Sequence, residues 1–307
     1  MTTPPRANDM TTHCALREVL VPLDGSSLAE SALAAALPIA NGCDSHITLL
    51  HVIEQAAPST IHGDTHLNDS TEASSYLARM AESVPGAEIH VHPNPEGDVA
   101  RSIADHAAEF GSDLIVLCAH GEGGASSWLT GTKAQQIIRR AAPPVLLVRE
   151  SAVAPFSPTG IIVALDLAAH GDAALQPSVA IARALQLPIT LLAVVPTKAT
   201  LGTLQATTAL FSPSASTAAL ELEHQAAVAR LREVAESLGA SGLTVRAEVL
   251  RGEALKQVAE HAAKNPAAVL AVATHGKTGM DAFWSESVGS RVVGRVTNPL
   301  LLVHPVD

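Results

Sequence analysis

The sequence has few aromatic residues and few cysteines. Aromatic side chains make up only 2% of the 307 residues, so the cores must be built from Ala, Val, Leu and Ile. This scarcity argues against single-stranded nucleic-acid binding, which stacks bases on aromatic rings. The three cysteines, Cys14, Cys43 and Cys118, are odd in number and form no CxxC pair. We therefore expect no disulfide framework, no thiolate metal site and a reducing, cytoplasmic setting.

Clusters of basic residues and long apolar runs are also missing. The chain has 19 Lys and Arg against 30 Asp and Glu, a net charge of −11. A protein that neutralises many phosphates needs clustered cations, so we expect no nucleic-acid partner. No stretch approaches the roughly 18 apolar residues of a membrane span. Residues 1–16 are polar and predict a flexible N-terminal tail rather than a signal segment.

The chain contains an internal repeat. The run VLVPLD that begins at Val19 recurs as IIVALD at Ile161, an offset of 142 residues, and a later ITLL run recurs at the same offset. The run PVLLV at Pro144 recurs as PLLLV at Pro299, an offset of 155 residues. The pair His120-Gly121 recurs as His275-Gly276 at the same offset. The second copy therefore has 13 extra residues, which we place in the Thr-, Ser- and Ala-rich stretch Thr197–Thr217.

Each copy predicts an α/β unit. Continuous apolar runs, too short for helices, predict buried strands in the first copy at 18–23, 46–53, 87–92, 113–118 and 144–149. Helices are expected between them, at 27–40, 70–84, 98–110 and 132–141. Buried strands that alternate with helices form a parallel sheet with helices on both faces. We predict two such five-stranded units, at residues 17–150 and 160–307, joined by a linker at 151–159.

The carboxyl ends of the strands in the first copy form the predicted ligand site, because open parallel sheets bind ligands there. A loop leaves the fourth strand, and nine residues later a helix opens at Gly131-Thr132. Glycine lets the backbone approach a phosphate, and the free N–H groups of a helix start attract one. An ordinary strand–loop–helix connection explains the pattern equally well. The candidate binding residues are Pro22, Leu23, Asp24, Val52, Cys118, Ala119, His120, Gly121, Gly131, Thr132 and Lys133.

The runs VLVPLDGS, DLIVLCAHG with nine residues to GT, and PPVLLV resemble the universal stress protein family. The resemblance covers residues 17–150 and 159–304 and implies a flavodoxin-like, Rossmann-like sheet in each copy. Members that keep the loop pattern Gly, two residues, Gly, nine residues, Gly-Ser/Thr bind ATP, which Mg²⁺ could accompany. The resemblance implies ribose and adenine contacts from Asp24 and Val52, near Pro22. It implies phosphate contacts from the loop residues Gly121, Gly131 and Thr132.

Both copies depart from that pattern. Cys118 stands at the first glycine position, where it is tolerable in a strand and unfavourable if the backbone needs a positive φ. Counted back from the last strand, the second copy carries Glu286 where the first has Gly131. A carboxylate repels phosphates, so we expect that copy to bind nucleotide poorly or not at all. The four equivalent loop positions there are Ala273, Gly276, Glu286 and Ser287.

Three functions remain open at this point. The first, which we favour, is a nucleotide-responsive stress protein with ATP in the first copy, an unknown protein partner and only incidental ATP hydrolysis. The second is an interaction protein with two decayed sites. The third is a nucleotide-hydrolysing or adenylate-transferring enzyme, although no nucleophile elbow, paired carboxylates or Walker A sequence occurs.

Two further expectations concern metals and assembly. His90 and His92 share one face of a strand, but no ligand at matching spacing accompanies them, so we expect no metal site. The resemblance implies pairing of the two last strands, 144–148 and 299–303, inside one chain. Unpaired apolar strands at a sheet edge favour aggregation, which supports this arrangement. Whether two chains pair further into a homodimer stays open.

Overall fold

The computed structural model describes residues 14–54, 60–61, 64–65, 67–93, 97–119, 133–149, 156–166, 173–201, 213–273 and 295–304. The first unit alternates strands and helices as predicted, with a short added hairpin. Its elements are β1 (Glu18–Pro22), α1 (Ser27–Glu30), α2 (Leu33–Cys43), β2 (His46–Ile53), β3 (Thr60–Ile61), β4 (Asp64–Thr65), α3 (Ser70–Ala81), β5 (Glu88–Pro93), α4 (Val99–Glu109), β6 (Leu114–Ala119), α5 (Lys133–Arg140) and β7 (Val145–Arg149).

The second unit repeats this order. Its elements are β8 (Ile161–Ala164), α6 (Leu175–Leu185), β9 (Ile189–Val195), a 3₁₀ turn (Lys198–Thr200), α7 (Pro213–Ala240), β10 (Val245–Arg251), α8 (Ala254–Lys264), β11 (Val269–Ala273) and β12 (Leu300–Val303).

The ten long strands form one continuous sheet, in the order β10-β9-β8-β11-β12-β7-β6-β1-β2-β5. All neighbours within a unit are parallel, so the prediction of two five-stranded parallel units is confirmed. The units join where β7 and β12 pair antiparallel, which is the predicted pairing of the last strands inside one chain. Both faces of the sheet are buried: Leu146 and Leu301 belong to the core on one face, and Leu147 and Leu300 to the core on the other.

A pseudo-two-fold axis relates the units, because equivalent residues meet where the units touch. Leu146 pairs with Leu301, which is its equivalent at the 155-residue offset. Helix α2 packs on α6, and Gly42 lies against Ala184, its equivalent at the 142-residue offset. A Cβ on Gly42 would lie 2.3 Å from the carbonyl oxygen of Ala184, so this contact requires glycine. The internal repeat thus behaves like an isologous dimer interface within one chain.

The extra residues of the second unit lie in a helix rather than in the loop where we placed them. Helix α7 has 28 residues, whereas its counterpart α3 has 12. The connections that precede the two helices are nearly equal in length, residues 54–69 and 196–212. The prediction of an insertion at Thr197–Thr217 was therefore wrong, because matched strand runs cannot tell a longer loop from a longer helix. Among the described residues, no helix combines the length and apolar character needed to span a membrane.

The first predicted helix, 27–40, is two helices. Ser26 caps α1 by accepting from the N–H of Ala29, and a turn at 31–32 then separates α1 from α2. Helix α2 continues to Cys43 with Pro38 inside it. The sequence did not reveal this break, because the segment is rich in Ala and Leu throughout. Helix propensity indicates that a segment is helical more reliably than it indicates where a helix begins or ends.

The structure also corrects the expectation of no disulfide: Cys14 and Cys43 are bonded. The segment before β1 runs beside the α2–β2 connection, where Ser45 Oγ donates to the Leu16 carbonyl at 2.6 Å. This neighbourhood arises from the tertiary fold, so cysteine spacing could not reveal it. Leu16 is only 3% exposed, so residues 14–16 belong to the fold rather than to the predicted tail, and residues 1–13 lie outside the described part of the chain.

Candidate functional site

The carboxyl ends of β1, β2 and β6 lie side by side, because β1 runs between the other two strands. Leu23 continues the ladder past β1, and its N–H donates to the Leu50 carbonyl at 2.8 Å. Its own carbonyl accepts from Nδ1 of the buried His51 at 2.7 Å, which fixes the proton of that imidazole on Nδ1. Leu23 is only 2% exposed as a whole residue, so it offers a ligand almost no accessible surface at this position.

Asp24 organises the turn that leaves β1. Its Oδ1 accepts from the N–H of Ser26 at 3.0 Å and from the Ser26 hydroxyl at 2.6 Å. Gly25 between them has a φ of 92°, which favours glycine. The described residues offer no donor to Oδ2 of Asp24, and the residue is half-buried. One carboxylate oxygen is therefore held in place while the other can accept a hydrogen bond from a ligand hydroxyl.

Tyr76 of α3 lies close to Asp24 and was not among the predicted site residues. Burial, followed by the nearby carboxylates of Glu30 and Asp24, raises the pKa of Tyr76 far above its ordinary range. The buried hydroxyl faces the Glu30 carboxylate, which raises the pKa of Tyr76 both through its charge and as a hydrogen-bond acceptor. Tyr76 is therefore a neutral phenol held beside two carboxylates.

Glu54, the residue after β2, joins the site through Lys133. The Lys133 ammonium at the start of α5 donates to Oε2 of Glu54, so the end of β2 and the start of α5 are connected. The sequence identified Lys133 as a charge for phosphates and missed Glu54, whose position just beyond a strand end could have indicated it. Val52, two residues earlier, is 6% exposed and belongs to the buried core on one face of the sheet.

Cys118 is an ordinary strand residue. It lies within β6 and pairs with Val148 of β7. Among the described residues, the non-glycine residues with positive φ are Asp44 and Gln186, so the backbone at Cys118 does not require glycine. Of the predicted loop residues, Ala119 ends β6. The others, which are His120, Gly121, Gly131 and Thr132, lie outside the described residues.

The second unit carries different residues at the equivalent positions. Asp166 is exposed, and Leu167-Ala168 replace the Gly25-Ser26 turn that holds Asp24. Pro196 stands where the first unit has Glu54. Ala273 ends β11, whereas Gly276, Glu286 and Ser287 lie outside the described residues.

The model of the universal stress protein family matches this chain twice, over residues 15–149 and 159–304. The chain belongs to the universal stress protein family. One curated relative, Universal stress protein MJ0531 of Methanocaldococcus jannaschii, is 28% identical over 142 residues, which cover 44% of this chain and 82% of the relative. Universal stress protein YxiE of Bacillus subtilis is 28% identical over 145 residues, 43% of this chain and 98% of the relative. Each relative matches less than half of this tandem universal stress protein.

A solved structure shares the tandem architecture. The structure of PA1789 from Pseudomonas aeruginosa, described as a functionally unknown protein, superimposes with a TM-score of 0.65 at 17% identity. The superposition covers 97% of this chain and 95% of PA1789. At this identity the likeness shows the fold of the whole tandem and carries nothing about ligands.

Proposed function

We propose that the first unit of this universal stress protein binds an adenine nucleotide, ATP in the first instance, and acts as a nucleotide-responsive module in stress response. The observation that carries the proposal is the carboxylate of Asp24 at the end of β1, with Oδ1 tied to Ser26 and Oδ2 available to a hydroxyl. A ribose offers neighbouring hydroxyl donors of the kind that an oriented carboxylate at this position accepts.

The apolar and polar walls of the proposed site take different parts of the ligand. The half-buried Pro22 offers apolar surface for the adenine ring beside Asp24, whereas Val52 is buried at the end of β2. The first N–H groups of α5 lack intrahelical partners and carry the positive end of the helix dipole, which suits phosphates. Cys118 does not oppose binding through backbone strain, because it keeps strand geometry.

The ion pair between Lys133 and Glu54 sets a condition on phosphate binding. Glu54 already neutralises Lys133, so phosphates arriving at α5 meet a carboxylate as well as an ammonium. We infer that ATP binds most strongly when Mg²⁺ screens Glu54 from the phosphates. The pair also gives the site two states, with Lys133 on Glu54 or on phosphate. Such an alternative contact is what lets a ligand bias the adjacent loop and a protein partner.

The second unit, with an exposed Asp166 and no Ser26 equivalent, is proposed not to bind nucleotide. No dedicated catalysis is part of the proposal, and the proposed compartment is the cytoplasm. The Cys14–Cys43 disulfide is unusual for that compartment. Thiol labelling of the protein in intact cells checks the compartment, because a fully oxidised pair would contradict it.

Calorimetric titration with ATP and Mg²⁺ tests the nucleotide proposal. Asp24→Asn keeps an oxygen for the Ser26 donors and removes the charge, so we expect ATP affinity to fall by about tenfold or more. Asp166→Asn is the matched control in the second unit and should leave ATP binding unchanged. Equal affinity in the wild-type protein and Asp24→Asn would overturn the assignment. A wild-type protein that binds no ATP would favour the interaction protein without a nucleotide.

A further inference from the structure

Three histidines of the first unit meet on the face of the sheet that α4 covers. His90 and His92 lie two residues apart on the edge strand β5 and so point to the same face. His106 of α4 is 1% exposed and lies between them. The sequence identified the strand pair and missed His106, because no sequence spacing reports that a later helix packs over an edge strand.

The ring nitrogens are close enough to share one ion. Nδ1 of His90 lies 3.3 Å from Nε2 of His106, and Nε2 of His92 lies 3.1 Å from Nδ1 of His106. One nitrogen from each residue can be chosen so that all three lie within 4.8 Å of one another. Nitrogens bound tetrahedrally to Zn²⁺ are separated by about 3.4 Å. Small rotations of the imidazole rings therefore suffice to form a three-nitrogen site.

The surroundings support and orient the imidazoles of this cluster. Burial first, and then His92 and His90, lower the pKa of His106 to about 4, so its ring is neutral near pH 7. Nε2 of His90 lies 3.6 Å from a carboxylate oxygen of Glu88, which favours a proton on Nε2 and a lone pair on Nδ1. A carboxylate behind a histidine is the usual outer support of a metal ligand. The Phe110 ring stacks on His106 at 4.3 Å and restricts its orientation.

The second unit retains only part of this cluster. His261 of α8 is the equivalent of His106 at the 155-residue offset. The pairing of strands identifies the equivalents of the other two histidines. Glu248 takes the place of His90, because it pairs with Leu192 as His90 pairs with Leu50. Leu250 takes the place of His92 in the same way. The two units thus place one histidine alike, and only the first unit surrounds it with two more.

We propose that His90, His92 and His106 form a binding site for one divalent transition ion of the class Zn²⁺, Cu²⁺ and Ni²⁺. Neutral imidazole is a preferred ligand for all three ions. Three protein nitrogens leave a fourth position of a tetrahedral ion for water or another small ligand. The half-buried His90 and His92, on an edge strand, give the ion a route from solvent. The site is separate from Asp24 and does not depend on the proposed nucleotide.

Zn²⁺ binding to the nucleotide-free full chain tests the proposal, with a colorimetric chelator as competitor. We expect the wild-type protein to bind one Zn²⁺ at this site. His106→Asn and His92→Gln should each lower the affinity for this ion by more than about tenfold. His261→Asn is the matched control, and it should keep this ion. Zn²⁺ that binds elsewhere on the chain is present in the wild-type protein and in all three variants, so it does not affect the difference between them. Bound Cu²⁺ should show several coordinating nitrogens by electron paramagnetic resonance, fewer in His92→Gln.

Two results would overturn the metal site. The wild-type protein and both cluster variants would bind Zn²⁺ equally, or the wild-type protein would bind none. In either case the three rings form only a hydrogen-bonded chain of imidazoles. His106 is buried, so circular dichroism must show that its variant folds. If it does not, His92→Gln decides the question, because it changes a half-buried residue on an edge strand.

Discussion

The contact between the two units at Gly42 predicts an unusual result for a glycine-to-alanine substitution. In a helix interior this change normally stabilises a protein by up to about 1 kcal/mol. At Gly42, however, the new Cβ would lie 2.3 Å from the Ala184 oxygen, 2.6 Å from its Cα and 2.7 Å from its carbonyl carbon. These atoms belong to the backbone of α6 and cannot rotate away.

The size of the effect follows from the displacement that the methyl group demands. Non-bonded atoms separate to about 3.5 Å, so α2 and α6 must move apart by roughly 1 Å at their crossing. Overpacking of this kind costs about 1–3 kcal/mol, partly offset by the gain in helix propensity. We therefore expect Gly42→Ala to lower the free energy of unfolding by about 1–2 kcal/mol.

Gly239 of α7 supplies the control, because nothing lies within 4 Å of a Cβ built there. Gly239→Ala should raise stability, and Gly42→Ala should lower it, in urea unfolding followed by circular dichroism. Both variants replace a helical glycine with alanine, and only Gly42 faces the other unit. Opposite changes in the free energy of unfolding would therefore report the contact between the units. Equal stabilisation by both variants would refute the close approach of α2 and α6.

Three other measurements address separate parts of the molecule. The Cys14–Cys43 disulfide closes a loop with a sequence separation of 29, so reduction should destabilise the protein by about 3–4 kcal/mol. Cys43→Ser should match the reduced protein and be insensitive to reductant; an unchanged wild-type midpoint in reductant would contradict the bond. The folded-state pKa of Tyr76 is raised, so its stabilising effect is complete below pH 10, the ordinary pKa, and is lost above it. As the chain has one tyrosine, absorbance at 295 nm should show no ionisation before alkaline unfolding, and Tyr76→Phe should lessen the alkaline loss of stability; titration near pH 10 in the folded protein would contradict this. Glu54→Gln should tighten Mg²⁺-free ATP binding by about fivefold, because a repulsion of about 1 kcal/mol is removed; a weaker Mg²⁺-free affinity would show that Glu54 supports binding in another way.

The sheet could be predicted from the sequence because its strands are buried on both faces. Runs such as Leu114–Leu117 must be strands in a doubly covered sheet, and their recurrence at fixed offsets fixed the number of units. Pairing of the two last strands was implied by the family resemblance, and the need of apolar edge strands for a partner supported it. The length of α7 did not follow, because its polar and Ala-rich sequence is compatible with either a loop or a helix.

Only part of the candidate site could be predicted from the sequence. Asp24 and Val52 could be located because the ends of parallel strands share one edge of a sheet. Contacts between side chains that are distant in sequence could not be located in this way. They include the Glu54–Lys133 ion pair, the position of Tyr76 beside Asp24, and His106 over β5. Each arises from the way a helix packs on a strand, which local pattern does not encode.

The most direct test of the account is the number of ATP molecules that the intact chain binds in the presence of Mg²⁺. We predict one per chain, lost in Gly131→Glu, which introduces into the first unit the residue that the second carries at Glu286. The same charge should leave binding intact when it is introduced by Gly239→Glu on α7, where the added side chain has open space. Two ATP molecules per chain, or one that survives Gly131→Glu, would contradict the assignment of the nucleotide to the first unit.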